Sequence, residues 1–294
     1  MKFVSYNIQY GTGKDGRIDL SRIAAEVGDA DVIALQEVDR FNSETQMSDQ
    51  VAELAELFPS HYYAYGPGVD IDASFHDASG KLNNRRRQFG NMLLSKTPII
   101  SSRNHLLPKY GMNTLVSLQR SALEGVIECE LGLMRVYSVH LGHVAAPERR
   151  RQIQSLLKII KNAPNEGGAW SGKAAGHHWT ADGSMPLMPP AALLIGDFNL
   201  EPVSKEYEQL VGPIDNEYGR ITRIDGLVDI WTGLGHAPDG PETKTCPAKK
   251  PRNTDTRIDY CFTTTDLAEK AVSMRVDQSA QGSDHQPITI EFKA

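Results

Sequence analysis

The stretch DVIALQEV, Asp31–Val38, runs apolar without alternation from Val32 to Leu35 and then reaches a carboxylate at Glu37. A strand with no polar face is one buried on both sides, as in a sheet covered by further layers. Its neighbours supply such layers. Upstream, Asp19 can cap a helix whose apolar residues Leu20, Ile23, Ala24 and Val27 follow helical spacing, with Gly28 placed to end it. Downstream, SDQVAELAELF (48–58) reads as a second capped amphipathic helix, with Val51, Leu54, Ala55 and Phe58 on one side. Helix, buried strand and helix in succession predict a layered α/β fold.

The alternation continues outward. FVSYNIQ (Phe3–Gln9), Phe89–Ser95, Arg120–Leu131, Met134–Leu141, AALLIGDFN (Ala191–Asn199), Thr256–Thr264, Ala271–Val276 and Pro287–Phe292 read as strands. Pro147 suits the first turn of a helix that continues through Ile153, Leu156, Leu157 and Ile160. A short helix is expected around Ser204–Leu210. Two aperiodic polar stretches read as long loops: Pro67–Gln88, taken as mobile and ending in Arg85, Arg86 and Arg87, and Asn162–Pro190, rich in Gly, Pro, Ala and Ser. No composition break suggests a domain boundary, so one domain over residues 1–294 is expected.

With 294 residues, 23% charged and 40% hydrophobic, the chain has the composition of an ordinary globular protein. No apolar run approaches the roughly 20 residues needed to span a bilayer. The N-terminus lacks the apolar stretch of a signal peptide. The cysteines are three, Cys129, Cys246 and Cys261, an odd and sparse set that argues against a disulfide framework and for a reducing cytoplasm. Cys129 and Cys261 fall in apolar strand-like runs and read as small core residues. A net charge of −6 argues against a dedicated binder of long nucleic acid.

The candidate functional residues are polar groups at the ends of buried strands: Asn7, Glu37, His140, Asp197, Asn199, Asp284 and His285. Strand ends and their loops are where layered α/β proteins build sites. Asp197 and Asn199 are two apart, as are Asn7 and Gln9, so an extended backbone would point each pair to one side. Burying one such group unpaired costs roughly 2–7 kcal/mol. Several together imply mutual pairing or a bound cation. Carboxylates and amide carbonyls suit magnesium, calcium or manganese, whereas zinc prefers Cys and His. HLGH (140–143) and the His177–His178 pair are weak signals, the latter better read as part of a solvated loop.

The ordered set YNIQ, LQEVD, SVHLG, GDFN, RIDY and SDHQP resembles the endonuclease/exonuclease/phosphatase superfamily from Asn7 to His285. The finer pattern FGNMLLSKTPI, LQRSALEGVI and TCP before RIDY is similar to a compact bacterial branch. The resemblance implies a four-layer α/β sandwich, two mixed sheets packed face to face with helices on both outer faces, and divalent-metal phosphoester hydrolysis. It implies magnesium, or manganese, with Glu37 as principal ligand and Asn7 and Asp284 at or near the metal. Asp197 and Asn199 would orient the water and the phosphate. His140 would hydrogen-bond a non-bridging oxygen, and His285 would face the scissile phosphate with Asp259 behind it. A neutral Gln9 stands where some nucleases of the superfamily carry Asp, which disfavours a second tightly held metal. Arg120 suits a phosphate oxygen, or is a surface strand charge.

Three functions are carried forward. The first is a phosphodiesterase or phosphatase acting on a small organic phosphate or lipid head group. The second is a nuclease on DNA or RNA, disfavoured by net acidity and the lack of an interleaved basic and aromatic stripe. The third is a non-catalytic binding protein on the same fold, against which Glu37, Asp197, Asp259, Asp284 and His285 argue. Arg85–Arg87, Trp170 and Trp179 are candidates for substrate contact or plain surface and cover. Oligomeric state is open.

Overall fold

The strand Lys2–Asn7 (β1) sends Phe3 to one side and Val4 and Tyr6 to the other, and all three are buried. That is the pattern expected of a strand inside a four-layer protein. The computed structural model describes residues 1–172, 188–221, 226–247 and 254–294. Its strands continue with β2 (Val32–Arg40), β3 (Tyr62–Asp72), β4 (Phe75–His76), β5 (Leu82–Asn83), β6 (Arg86–Ser95), β7 (Ile99–Leu106) and β8 (Ser121–Cys129). Then follow β9 (Gly132–His140), β10 (Ala192–Asp197), β11 (Ile214–Asp215), β12 (Gly219–Arg220), β13 (Val228–Asp229), β14 (Asp259–Thr263), β15 (Ala271–Val276) and β16 (Ile288–Phe292). The main helices are α1 (Leu20–Val27), α2 (Gln50–Leu57), α3 (Ala146–Glu166) and α4 (Lys205–Val211).

Two six-stranded mixed sheets carry the fold, with strand orders β15-β16-β1-β2-β6-β3 and β13-β14-β10-β9-β8-β7. Phe3, Val32, Ala34, Leu93, Leu123, Ile127, Val136, Leu193, Ile195 and Ile288 form the layer between them. The alternate residues Val4, Ile33, Leu35 and Leu94 pack on Leu20, Ile23 and Val27 of α1 and on Val51 and Leu54 of α2. On the other sheet, Tyr137, Val139, Leu194 and Phe262 meet Ile153, Leu156 and Ile160 of α3 and Tyr207 and Leu210 of α4. The expected sandwich is therefore the observed one.

The helix signals hold. The Asp19 carboxylate accepts from the Ser21 and Arg22 amides, and Gly28 closes α1 with φ +61°. Asp49 and Ser204 cap α2 and α4 in the same way. Pro147 lies in the first turn of α3, which runs on to Glu166 and so takes in the first residues of the expected 162–190 loop. Residues 173–187 of that loop, with the His177–His178 pair and Trp179, lie outside the described residues; Trp170 is exposed. The far end of the loop is held by the buried Arg135, whose guanidinium donates to the carbonyls of Pro189, Pro190 and Ile160.

Four expectations need correction. Residues 67–88 are not a mobile loop: β3 and β6 pair across Val69–Phe89, Asp70–Gln88 and Asp72–Arg86, and β4 and β5 extend the ribbon. The ribbon projects with much of its length in solvent, so its polar residues pair across strands, as Arg86 does with Asp70 at 2.7 Å, and leave no apolar face to read. β7 was not expected, because an edge strand of sequence IISSRNHL has little to bury. Gln9 (φ +44°) and Asn199 (φ +51°) have left the extended conformation, so neither pair of residues two apart lies along a strand. Cys129 is only half-buried at the end of β8, whereas Cys261 is a core residue as read.

One glycine is fixed by a close approach. A Cβ at Gly196 would lie 2.0 Å from the Val139 carbonyl oxygen of the neighbouring parallel strand, at φ +149°. Gly196→Ala should therefore force β9 and β10 apart and destabilise the fold by ~1–3 kcal/mol or more. The measurement is the urea midpoint, and a midpoint unchanged from wild type would refute the close-contact reading.

Candidate active site

Each sheet contains one central parallel pair, β1 with β2 and β9 with β10. Their carboxyl ends point to the same place. Asn7 ends β1, Glu37 lies near the end of β2, and His140 and Asp197 end β9 and β10 in register with each other. Asp259 starts the antiparallel β14 and is therefore the partner of Asp197 across the ladder. The segment leading into β16 brings Asp284 and His285. Glu37, His140, Asp197, Asn199, Asp284, His285, Gln9, Tyr10 and Arg120 all line one pocket of about 600 Å³.

The backbone is bent to make this possible. The β2–β6 register slips by one residue between Leu35 and Val38, and within that bulge Glu37 has φ +60°. A bulge re-aims a side chain that regular pleating would send elsewhere. Among the described residues, seven non-glycine positions have positive φ: Gln9, Tyr10, Glu37, Phe41, Gln46, Met47 and Asn199. Four of them line the pocket, and the other three bracket Asn42, Ser43 and Glu44, which line it too. Such conformations cost on the order of 1–3 kcal/mol each and gather at functional sites.

Hydrogen bonds tie the two sheets together across the pocket. The Asn7 amide Nδ2 donates to Asp197 Oδ2 at 3.1 Å and to Glu37 Oε1 at 3.3 Å, while its Oδ1 accepts from the Gln9 amide. Asp197 Oδ1 accepts from the Asn199 amide at 2.8 Å, and the Asn199 side chain donates to the Leu141 carbonyl. His285 Nδ1 donates to Asp259 Oδ2 at 2.9 Å, and its Nε2 lies 3.9 Å from Asp197 Oδ2. Thr245 Oγ1 receives the amides of Ile258 and Asp259 and so fixes the start of β14. Ser283 Oγ donates to the Asn7 carbonyl and accepts from the His285 amide, which anchors the His285 segment to β1.

Arg120 is buried, not a surface charge. Its Nη1 donates to His140 Nδ1 at 3.1 Å and its Nη2 to His143 Nδ1 at 2.9 Å. Nδ1 of both rings is thereby the acceptor, which assigns the remaining proton to Nε2. On His140 that Nε2 faces Asp197 Oδ2 at 3.3 Å. The Arg120 Nε is buried without a hydrogen-bond partner. Among the described residues no carboxylate lies within ion-pair distance of Arg120, and no lysine or arginine within that distance of Glu37, Asp197 or Asp259.

The histidines split. Burial and the Arg120 cation hold His140 well below the ordinary imidazole range, and the same two causes lower His143. Burial would lower His285 too, but the Asp259 charge and hydrogen bond outweigh it, helped by the Cys246 thiol, and its pKa is raised well above the usual value. Asp197 is pushed above the carboxylate range by burial and then by the neighbouring Asp259 charge.

The structure thus gathers all nine sequence candidates around one pocket: Asn7, Glu37, Arg120, His140, Asp197, Asn199, Asp259, Asp284 and His285. Asp259 stands behind His285 and Asn7 behind Glu37 and Asp197, and neither is itself among the lining residues. His143, Cys246 and the Asn42–Glu44 turn were missed. The HLGH spacing was the one signal for His143, and TCP before RIDY the one for Cys246. One ligand atom each from Asp197, Asp259 and His285 lies within 4.8 Å of the other two, close enough to hold a cation between them.

Two face-to-face sheets with a polar pocket at the carboxyl ends of their central strands define a layered α/β protein that builds its site at strand ends. The chain belongs to the Endonuclease/Exonuclease/phosphatase family, whose description matches residues 4–285 and whose members are phosphoester hydrolases. Among solved structures it is similar to an endonuclease/exonuclease/phosphatase from Beutenbergia cavernae, with TM-score 0.61, 20% identity, and coverage of 99% of this chain and 70% of that one. It is similar also to truncated TDP2 from Caenorhabditis elegans, with TM-score 0.60, 15% identity, and coverage of 100% and 97%. A mannosyl-6-phosphatase from Bacteroides thetaiotaomicron has TM-score 0.59 and 18% identity, with both chains covered in full. No curated protein matches the chain at a significant level.

Proposed function

We propose that the chain is a divalent-metal-dependent phosphoester hydrolase acting on a small organic phosphate or head group. One observation carries this reading: among the described residues Glu37 and Asp197 have no lysine or arginine within ion-pair distance, and the buried Arg120 guanidinium has no carboxylate within that distance. Both would be costly if left so, since an uncompensated buried charge is strongly unfavourable. A hard cation at the carboxylates and a phosphate at the guanidinium answer both at once.

The donor set fits such a cation. Among the described residues Glu37 meets an amide NH2 and an imidazole, and with Asp284 it offers carboxylate oxygens of the kind magnesium or manganese takes; Asn7 faces Glu37 with its NH2 and would join the ligands only with its amide reversed. When bound, the ion would supply charge neutralisation at the phosphoryl oxygens. The protein groups would do the rest. Arg120 and the Nε2–H of His140 donate to non-bridging oxygens. Asp197, held by Asn7 and by the Asn199 amide, orients the attacking water and, with its raised pKa, can accept its proton. His285, kept charged by Asp259, stabilises the negative transition state from its own side. The named activity of the Bacteroides neighbour on a mannosyl 6-phosphate is compatible with a small substrate.

The test is a turnover screen of nitrophenyl phosphomonoesters, nitrophenyl phosphodiesters and oligonucleotides with magnesium, manganese or chelator. Hydrolysis of a nitrophenyl ester that chelation abolishes, and added magnesium restores, is expected. Turnover that survives chelation would remove the metal. Oligonucleotide cleavage with no small-ester turnover would make the chain a nuclease. No turnover at all would leave a binding protein.

A further inference from the structure

The pocket extends beyond the groups assigned to phosphate chemistry. Its remaining lining comes from the turn after β2 (Asn42, Ser43, Glu44), from Arg87, and from an apolar strip that includes Val69, Ile71 and Phe89. The turn is tightly built. Phe41 N donates to the Ser48 carbonyl at 2.7 Å, Met47 N to the Asn42 carbonyl at 2.8 Å and Gln46 N to the Ser43 carbonyl at 3.1 Å. Asp39 accepts from the Asn42 amide and from Thr45 Oγ1, filling both carboxylate oxygens. The Arg40 and Arg85 guanidiniums lie over the Phe41 ring at 5.4 and 5.2 Å, and Arg87 Nε donates to the Phe41 carbonyl. Phe41, Gln46 and Met47 are held in the left-handed region at φ +56° to +62°. Strain of this kind persists only where the surroundings over-determine it, and it marks functional segments.

What this rigid turn presents is free to bind. Among the described residues the side chains of Ser43 and Glu44 make no hydrogen bond, and Arg87 has no carboxylate within ion-pair distance. The wall therefore offers a hydroxyl that can donate and accept, a carboxylate that accepts and a guanidinium that donates, all beside C–H surface. A second phosphate here would face Glu44 and Asp39. An alkyl chain would bury all three polar groups without partners. A run of nucleotides would need a basic and aromatic track, and here Arg40 and Arg85 are already stacked on Phe41, Arg40 also being paired with Asp49, which leaves Arg87 to face the pocket. Vicinal hydroxyls, each donor and acceptor, on a carbon skeleton that covers the apolar strip satisfy every group.

We propose that this wall reads the alcohol moiety of the substrate, and that this moiety is a polyol with vicinal hydroxyls and no second phosphate. The inference rests on the phosphoester-hydrolase reading and adds the substrate class to it. The source is a free sugar phosphate or the polyol head group of a phosphodiester.

The experiment uses the full chain with magnesium. It compares kcat/KM for hexose 6-phosphate, glycerophosphoinositol, hexose 1,6-bisphosphate and p-nitrophenyl phosphate in wild type and in Ser43→Ala, Glu44→Gln and Arg87→Met. At least one of the two polyol esters, the hexose 6-phosphate monoester or the glycerophosphoinositol diester, should be a substrate, and which one identifies the source. For that ester the ratio of its kcat/KM to that of p-nitrophenyl phosphate should fall about tenfold in Ser43→Ala and in Arg87→Met, as loss of one substrate hydrogen bond predicts. The bisphosphate should be at least about tenfold poorer than the monophosphate in wild type and should improve in Glu44→Gln, where like-charge repulsion is removed. Turnover of p-nitrophenyl phosphate with neither polyol ester accepted, ratios unchanged in all three variants, or a bisphosphate as good as the monophosphate would each overturn the polyol assignment while leaving the hydrolase reading intact. Failure to turn over p-nitrophenyl phosphate or any other ester would instead sink the hydrolase reading, and the polyol assignment with it.

Discussion

His285→Ala is expected to lower kcat/KM by about 10³-fold, and adding Asp259→Asn to it is expected to cost almost nothing more. The reason is geometric. His285 Nδ1 and Asp259 Oδ2 are 2.9 Å apart, both side chains are buried, and Asp259 has no lysine or arginine partner among the described residues. Asp259 does not line the pocket, and its one side-chain hydrogen bond among the described residues goes to the imidazole, beside the charge it exerts on Asp197. Its carboxylate fixes the tautomer and holds the ring charged against a burial that would otherwise neutralise it. Asp259→Asn alone should therefore lose most of the same activity, and because the histidine pKa falls without its partner, the loss should deepen as pH rises. Groups that act as one unit give losses that do not multiply. Steady-state kinetics on the single and double variants would decide. Two losses that multiply would mean that the residues contribute independently and that the pair is a structural contact.

Glu37→Ala is expected to be nearly as damaging, by roughly 10²–10³-fold if several kcal/mol of charge neutralisation depend on it, yet to leave the fold intact. The Glu37 side chain makes one long hydrogen bond, 3.3 Å from Asn7, and none of the core packing. Alanine keeps the same left-handed backbone strain that the bulge imposes on glutamate. A readout other than turnover is available. An ion bound only by the folded protein raises its Tm with concentration, so magnesium should shift the wild-type melting curve upward and the Glu37→Ala curve much less. An equal shift in both would place the ion elsewhere, and an unfolded variant would make Glu37 a structural residue.

Most of this architecture could be read in advance because its strands are buried on both faces. Val32–Leu35 and Leu193–Ile195 leave no polar alternate, and Phe3–Tyr6 leaves only the small, buried Ser5; that pattern belongs to few folds. The capped helices were equally legible, since Asp19, Asp49 and Ser204 act through local bonds. The β3–β6 ribbon was not. Its strands are held by pairing with each other, and exposed residues such as Ile71, Phe75 and Leu82 leave no buried face to make a pattern. At the pocket, strand-end carboxylates and imidazoles stood out by residue type. The bulge at Glu37 could not, because register slippage depends on β6, more than 50 residues further along the chain. For Arg120, read as a phosphate contact or a surface strand charge, the sequence could not show the burial between His140 and His143, which follows from tertiary packing alone.

Asn7 and Glu37 belong to one sheet, and His140, Asp197 and Asp259 to the other; the amide that joins them spans 190 positions of sequence. A chain in which either sheet has formed alone holds half a pocket. It can assemble neither the carboxylate cluster nor the guanidinium beside it. The carboxylate cluster is therefore complete only when one sheet is docked on the other. The longest separation among the strand pairs, Lys2 with Glu291, is closed inside the first sheet, whereas the docking joins positions 190 apart. The pocket is thus a property of the packed pair of sheets and of neither sheet by itself.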